Sequence, residues 1–265
     1  SKNIFLIENL SLSKDLKVNY FKLIDLNFIN ENKKNNEILL NRDKKDYLVS
    51  SKIFDGSTFL DEILTGDSDE GISKFFNNLN SKFKINIDKI FIEDNYFLKS
   101  LQSDIKFKKN NLVNLDLSGN FADNKKLVLS IRTNENNEKI TTLFAENAKP
   151  LVKKYKFIKG FEGGYLDFYS IKKNNLSKSK LKINDFKLKE VPALTKILTL
   201  ASLQGIADLL TGEGIRFDEF EMNFENKKNL MTINEIYSIG PAISILMEGY
   251  VEGKNLVSLR GTLVP

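Results

Sequence analysis

Apolar side chains recur at every second position over most of this chain, a spacing that a strand can bury on one face and a helix cannot. In "FEMNFENKKNLMTINEIYSI", Phe220, Met222 and Phe224 share a face, a polar turn runs from Asn226 to Asn229, and the pattern resumes with Met231, Ile233 and Ile239. "AISILMEGYVEGKNLVSLRGTLV" repeats the design around a turn at Glu252 to Asn255, and "LVNLDLSGNFADNKKLVLSI" repeats it around Asp123 to Lys126. Further strands are predicted over residues 3–12, 16–29, 36–41, 46–53, 82–92, 104–108, 138–144, 164–171 and 180–189. The expected fold is mainly β, with short helices inserted in an antiparallel meander of long strands.

Helical spacing appears in few places. "GSTFLDEILTG" (56–66), "GISKFFNNLN" (71–80) and residues 147–155 are short candidates. The longest is "LTKILTLASLQGIADLLTGEGIRF", residues 194–217. At about 100° per residue, Ile197, Leu198, Leu200 and Ala201 form an apolar side opposite Thr195, Lys196, Thr199 and Ser202. Beyond Gly205 the same spiral places Ile206, Leu209 and Leu210 on the formerly polar side. Two short helices with opposed apolar faces, broken near Ser202 to Gly205, therefore fit better than one. Pro192 suits the first turn, and Gly212 and Gly214 stop the second helix. Lys196 and Asp208 interrupt the stretch, which falls short of the roughly 20 apolar residues a spanning helix needs.

Short stretches also recur along the chain. "SKFKINIDKIFI" (81–92) is similar to "SKLKINDFKLK" (179–189), and "LSGNFADNKKLV" to "MEGYVEGKNLV". If they are true repeats, the sheet grows by adding strand modules.

The chemistry available is narrow. The chain has 265 residues, no Cys and no His, which excludes disulfides, thiolate nucleophiles, His-based triads and ordinary zinc sites. The twenty Phe and eight Tyr, with no Trp, supply apolar bulk with few polar handles. Gly212 and Gly214 lack the third Gly and Lys-Ser/Thr of a phosphate loop, and the Ser170 to Lys173 spacing is uninformative in so Lys-rich a chain. No carboxylate pair stands in an apolar setting, and Asp67, Asp69 and Glu70 do not complete a calcium loop. Neither an enzyme, nor a catalytic residue, metal ligand or cofactor, is expected.

The net charge of +5 rests on Lys, since Arg42, Arg132, Arg216 and Arg260 are the only arginines. The most basic zone runs from Lys149 to Lys189, where Glu162, Asp167 and Asp185 are the only acids. Within it Lys172, Lys173, Lys178 and Lys180 are the candidates for contact with anionic lipid headgroups. Nucleic acid is not an expected partner, because Arg is scarce and aromatic interleaving on a defined module is absent.

Residues 160–265 resemble the C-terminal region of the AsmA-like family, in particular the YhdP-type proteins of Gram-negative envelopes. The resemblance is carried by "VPALTKILTLASLQGIADLLTGEGIRFDEFEMNF" and then "LMTINEIYSIGPAISILMEGYVEGKNLVSLRGTLVP". It divides the chain into an amino-terminal β portion, residues 1–159, and an AsmA-like portion, residues 160–265, expected to share one continuous sheet. Residues 1–159 share with the family only strand character and "FDGSTFLDEIL". The resemblance implies a long, curved, groove-like antiparallel sheet, capped by the broken helix pair, whose concave apolar face carries phospholipid acyl chains between inner and outer membranes. It further implies a periplasmic setting, attachment to the inner membrane through an anchor this chain lacks, and contacts with other envelope proteins. The family's final segment is also missing here, so the expectation is a piece of a longer protein. Leu198, Leu203, Ile206, Leu209, Leu210, Phe220, Met222 and Phe224 are the candidates for lining or capping the groove. Apolar runs on both sides of "IFLIENLSL" and "YFKLIDLNFI" point to deeper burial near the amino end. A structural or assembly scaffold with a closed, self-packed core is the competing reading.

Overall fold

A computed structural model describes residues 3–57, 75–93, 95–154, 160–189, 195, 196, 198, 199, 203, 205, 206, 212–253 and 256–265. The chain divides into two compact units, Ser1–Asn137 and Glu138–Pro265. The first holds strands β1 (Ile4–Glu8), β2 (Ser11–Leu12), β3 (Val18–Tyr20), β4 (Leu23–Ile29), β5 (Asn35–Asp43), β6 (Asp46–Asp55), β7 (Lys82–Glu93), β8 (Tyr96–Lys108), β9 (Asn111–Phe121) and β10 (Lys126–Thr133). The second holds β11 (Lys139–Ala145), a short helix α1 (Lys149–Lys154), β12 (Gly160–Lys173), β13 (Leu176–Lys189), β14 (Ile215–Lys227), β15 (Leu230–Ile239), β16 (Ser244–Glu252) and β17 (Leu256–Val264).

The protein is mainly β, as the period-two spacing predicts. Fifteen strands form one sheet in the order β1-β4-β5-β6-β7-β8-β9-β10-β11-β12-β13-β14-β15-β16-β17, and β2 and β3 make a separate small hairpin. Sequential neighbours joined by short turns pair antiparallel, because a two- to four-residue turn can only reverse the chain. The turns carry residues that tolerate positive φ, such as Asn124 (φ 65°) between β9 and β10 and Asn174 (φ 52°) between β12 and β13.

Several expectations need correction. The sheet is not antiparallel throughout: β6 and β7 run parallel, Tyr47 opposite Phe83 and Phe54 opposite Ile90. Residues 56–81 connect them, long enough for the crossover that a parallel pair requires. The single strand expected over 16–29 breaks at Phe21 and Lys22, where the Phe21 side chain turns inward and is 3% exposed. The strand expected at 104–108 begins at Tyr96. Of the helix expected over 71–80, the described residues Phe75–Asn80 are not α-helical; Phe76 instead forms a parallel bridge to Val18. In β15 a bulge between Ile233 and Ile236 shifts the alternation. Ile236 and Ser238 therefore pair with Met222 and Phe220, while Ile239 pairs with Glu219 on the opposite face. Residues 58–74, which include Asp67, Asp69 and Glu70, lie outside the described residues.

Candidate functional site

An apolar concavity lies in the first unit, on the face of the sheet formed by β4 to β9. Cross-strand pairing explains its lining. Ile24 stands opposite Leu40, Leu40 opposite Val49, Val49 opposite Ile85, Ile85 opposite Ser103, and Ser103 opposite Leu117. A neighbouring row runs Leu26–Ile38, then Ser51–Ile87–Leu101. Because paired residues point to the same side of a sheet, both rows present one surface. Over it lies a cavity of about 510 Å³, whose described lining residues are Ile, Leu, Val and Phe side chains and two serines, with no charged side chain among them. Along β7 it extends from Phe83 to Ile90, seven residue-to-residue steps, or roughly 23 Å at about 3.3 Å each.

Both ends are built by particular contacts. At one, Phe21 packs on Tyr47 (4.7 Å between ring centroids), Tyr47 on Phe83 (4.9 Å) and Phe83 on Phe107 (5.9 Å). Phe76 joins this cluster 6.3 Å from Phe21. The Asn110 side chain holds that segment, donating to the Phe76 carbonyl at 3.1 Å and accepting from the Leu79 amide. Burial within the cluster pushes the Tyr47 hydroxyl above its ordinary pKa, which keeps it neutral.

At the other end, Asp55 closes the β4–β5 turn. Its carboxylate accepts from Asn30 Nδ2 (2.7 Å), Asn32 Nδ2 (3.1 Å) and the Ser57 amide (3.3 Å). The Asp55 amide donates to Asn36 Oδ1 at 2.7 Å, and Asn36 is fully buried. Burial alone would raise the Asp55 pKa, but the side-chain donors Asn32, Asn30 and Ser57 outweigh it and hold the carboxyl below its usual range. This end is a structural polar knot, and the described lining between the ends is apolar except for Ser51 and Ser103.

Those two hydroxyls stand out. Ser51 is 9% and Ser103 6% exposed, and among the described residues neither Oγ has a hydrogen-bond partner. Ser51 sits on β6 opposite Ile87 and Ser103 on β8 opposite Ile85, so they flank β7 near the middle of the cavity.

In the second unit one face is also apolar. Leu143–Phe168–Leu181–Met222–Ile236–Met247 forms one cross-strand row, and Ala145–Leu166–Ile183–Phe220–Ser238–Ile245 the next. The candidates Phe220 and Met222 are half-buried in these rows, while Phe224, opposite Ser179 and Ile233, is buried. Leu198 is fully buried; Leu203 and Ile206 are half-buried. Thr195, Lys196, Leu198 and Thr199 have helical backbone, as do Gly205 and Ile206, whereas Leu203 between them does not. The Leu203 amide donates to the Leu198 carbonyl (2.8 Å) and the Ile206 amide to the Leu203 carbonyl (3.1 Å). Leu209 and Leu210 lie outside the described residues. The fold thus brings Phe220, Met222 and Phe224 together, but none of the six described candidates is among the described residues that line the cavity of the first unit.

The opposite face of β13 and β14 is charged. Lys178 pairs with Glu225 (3.2 Å), Lys180 with Glu221 (2.6 Å), and Lys182 with Glu221 (2.9 Å) and Glu219 (3.7 Å). Lys173 pairs with Glu138 at 3.2 Å, and Lys172, opposite Lys139 in the β11–β12 ladder, is also engaged. Lys178 and Lys180 border a shallow recess of about 260 Å³ with Tyr169, Asn223 and Asn234. Within the basic zone read from residues 149–189, Lys173, Lys178, Lys180 and Lys182 are thus matched by carboxylates of β14 and by Glu138, just before β11. A linear charge pattern cannot reveal such neutralisation across strands.

The lining of the first-unit cavity left a partial trace in the sequence. "YFKLIDLNFI" is apolar at positions facing both ways, and Phe21, Ile24 and Leu26 from it reach the cavity. The serines left none, since a Ser within an alternating strand is ordinary. Among the described residues no helix is long and apolar enough to cross a membrane. Comparison with protein-family models, curated proteins and solved structures returns no match.

Proposed function

We propose that this chain is a non-catalytic, lipid-binding segment of an envelope protein, which holds phospholipid acyl chains against the apolar face of its sheet as they move between inner and outer membranes. The cavity of about 510 Å³ carries the reading. Its volume falls within the range of about 300–1,000 Å³ typical of ligand sites, and its wall offers hydrocarbon almost exclusively. An apolar surface of this extent gains from being covered, at roughly 25 cal/mol per Å² removed from water, and an acyl chain covers it without demanding polar partners. In the second unit, the half-buried rows through Met222 and Phe220 would offer acyl chains an apolar face of their own, and the segment around Leu198, Leu203 and Ile206 would cap that face. The resemblance of residues 160–265 to AsmA-like proteins agrees with this reading and with a periplasmic setting. The paired Lys178 and Lys180 would meet headgroups only by exchanging Glu225 and Glu221 for lipid phosphate.

A self-packed scaffold is favoured by one observation: Leu127, Leu129 and Ile131 on β10 are fully buried, so this part of the sheet is already covered. Native mass spectrometry of the purified protein separates the two. Lipid transfer predicts bound phospholipid, reduced several-fold when Val49→Trp fills the cavity. Lipid-free protein that also takes up no fluorescent phospholipid would establish the scaffold instead.

A further inference from the structure

Resting on the lipid-binding reading of the same cavity, we infer that Ser51 and Ser103 select an apolar chain bearing a neutral carbonyl acceptor near its middle, the chemistry of an acyl ester. Both side chains are at least nine-tenths buried, and among the described residues neither hydroxyl has a partner. An unpartnered buried hydroxyl destabilises the protein that carries it, so it calls for a partner in the bound state. Water is a poor one: it needs two to four polar contacts, but Ser51 and Ser103 stand on opposite sides of β7, roughly 10 Å apart at about 4.8 Å per strand, so one water meets only one of them amid the described lining residues Ile85, Ile87, Leu101 and Leu117. The chemistry of the ligand group is set by its surroundings. With no cation among the described lining residues, a carboxylate would be desolvated without compensation, whereas a neutral carbonyl can accept from a serine hydroxyl at little cost. Its position is set by register. Ser51 is level with Ile87, near the midpoint between Phe83 and Ile90 at the cavity ends, and Ser103 with Ile85, two residues from Phe83. A terminal ester would therefore leave the hydroxyls facing methylene groups.

The test is displacement of an environment-sensitive apolar dye from the full chain by octyl octanoate, methyl pentadecanoate and heptadecane, three chains of equal length with a central, terminal or absent ester. The expected order is octyl octanoate first, by about tenfold over heptadecane, with methyl pentadecanoate close to heptadecane. Ser51→Ala and Ser103→Ala should each reduce that preference by about two- to tenfold and leave heptadecane binding unchanged. Both variants should also melt higher than the parent when ligand-free, which guards against misfolding as the cause. Dimyristoylglycerol and dimyristoylphosphatidylethanolamine, the same esters without and with a headgroup, identify the source: serine dependence in either arm supports the inference and names it. Equal displacement by ester and alkane, unaltered by the serine variants, overturns the inference while the lipid-binding reading stands. Failure of every chain to displace the dye overturns both.

Discussion

Glu221 is held between Lys180 and Lys182 on the charged face of β13 and β14, with Asn223 Nδ2 donating to it at 3.0 Å. Partial burial works against its ionised form, but hydrogen bonds from Lys180, Lys182 and Asn223 prevail and lower its pKa from 4.5 to about 2. Lys182 moves the other way, raised chiefly by its hydrogen bond to Glu221. A carboxyl whose pKa is depressed on folding contributes stability above its unfolded value, and that contribution disappears as pH falls from about 4.5 toward 2. Solvent screens the lysines, whose side chains are 44% and 38% exposed, so the contribution is on the order of 1 kcal/mol. Urea unfolding should therefore show Glu221→Gln about 1 kcal/mol less stable than the parent at pH 7, with the difference nearly gone at pH 2. A constant difference across that range would mean that the loss comes from packing rather than charge.

Three strands of the second unit change which of their faces is apolar along their length. Phe161, Phe186 and Phe217 stack in a ladder with centroid separations of 5.2 and 5.4 Å, and all are buried. Farther along, the inward residues become Leu166, Ile183 and Phe220, an odd number of positions away in each strand. The switch lies at Gly163 and Gly164 (φ 74° and 75°) on β12 and at Asp185 (φ 53°) on β13. A left-handed residue within a strand rotates the rest of that strand by about half a turn, so the apolar sides stay in register only if neighbouring strands switch together. Period-two reading located these strands, because Leu166, Phe168, Ile183 and Phe220 alternate locally. It could not locate the switch, which depends on pairing partners distant in sequence. The β15 bulge was hidden for the same reason, as was the matching of Lys178 by Glu225. Gly164→Ala should cost about 1–3 kcal/mol, since its Cβ would sit 3.0 Å from both the Asn184 carbonyl oxygen and the Phe186 Cβ in a conformation that L-residues disfavour. Asp185→Gly relieves the same conformation and loses only a surface contact to Arg216, so its melting temperature should stay close to the parent's. Equal destabilisation by the two variants would show that side-chain contacts, not the backbone conformation, hold the switch.

Burial is uneven across the strands, and stability should track it. On β10, Leu127, Leu129 and Ile131 are fully buried, and on β8 and β9 Leu98 and Leu115 are each 1% exposed. By contrast Leu256, Val257 and Leu259 on β17 are 49%, 59% and 45% exposed, and Phe5 on β1 is 67% exposed. β17 pairs with β16 and β1 with β4, and each is last in the sheet order, with one ladder of backbone hydrogen bonds rather than two. Alternation alone made β17 look like any other strand: Val257 and Leu259 repeat the spacing of Leu127 and Leu129. What separates them is strand order, since a strand near the middle of the order has neighbours on both sides to shield its side chains. Local opening needs least free energy where few apolar contacts and few ladders are lost. Within the fifteen-stranded sheet, native-state hydrogen exchange followed by mass spectrometry should thus find β8, β9 and β10 the slowest to exchange, and β1 and β17 the fastest, by several orders of magnitude. An added acyl ester that occupies the first-unit cavity should slow exchange in β6, β7 and β8, whose Ser51, Ile85, Ile87 and Ser103 line it, and leave β17 unchanged. Protection of β17 equal to that of β10 in the free protein would mean that its exposed apolar edge is covered in solution, and that burial within one chain does not govern the stability of this sheet.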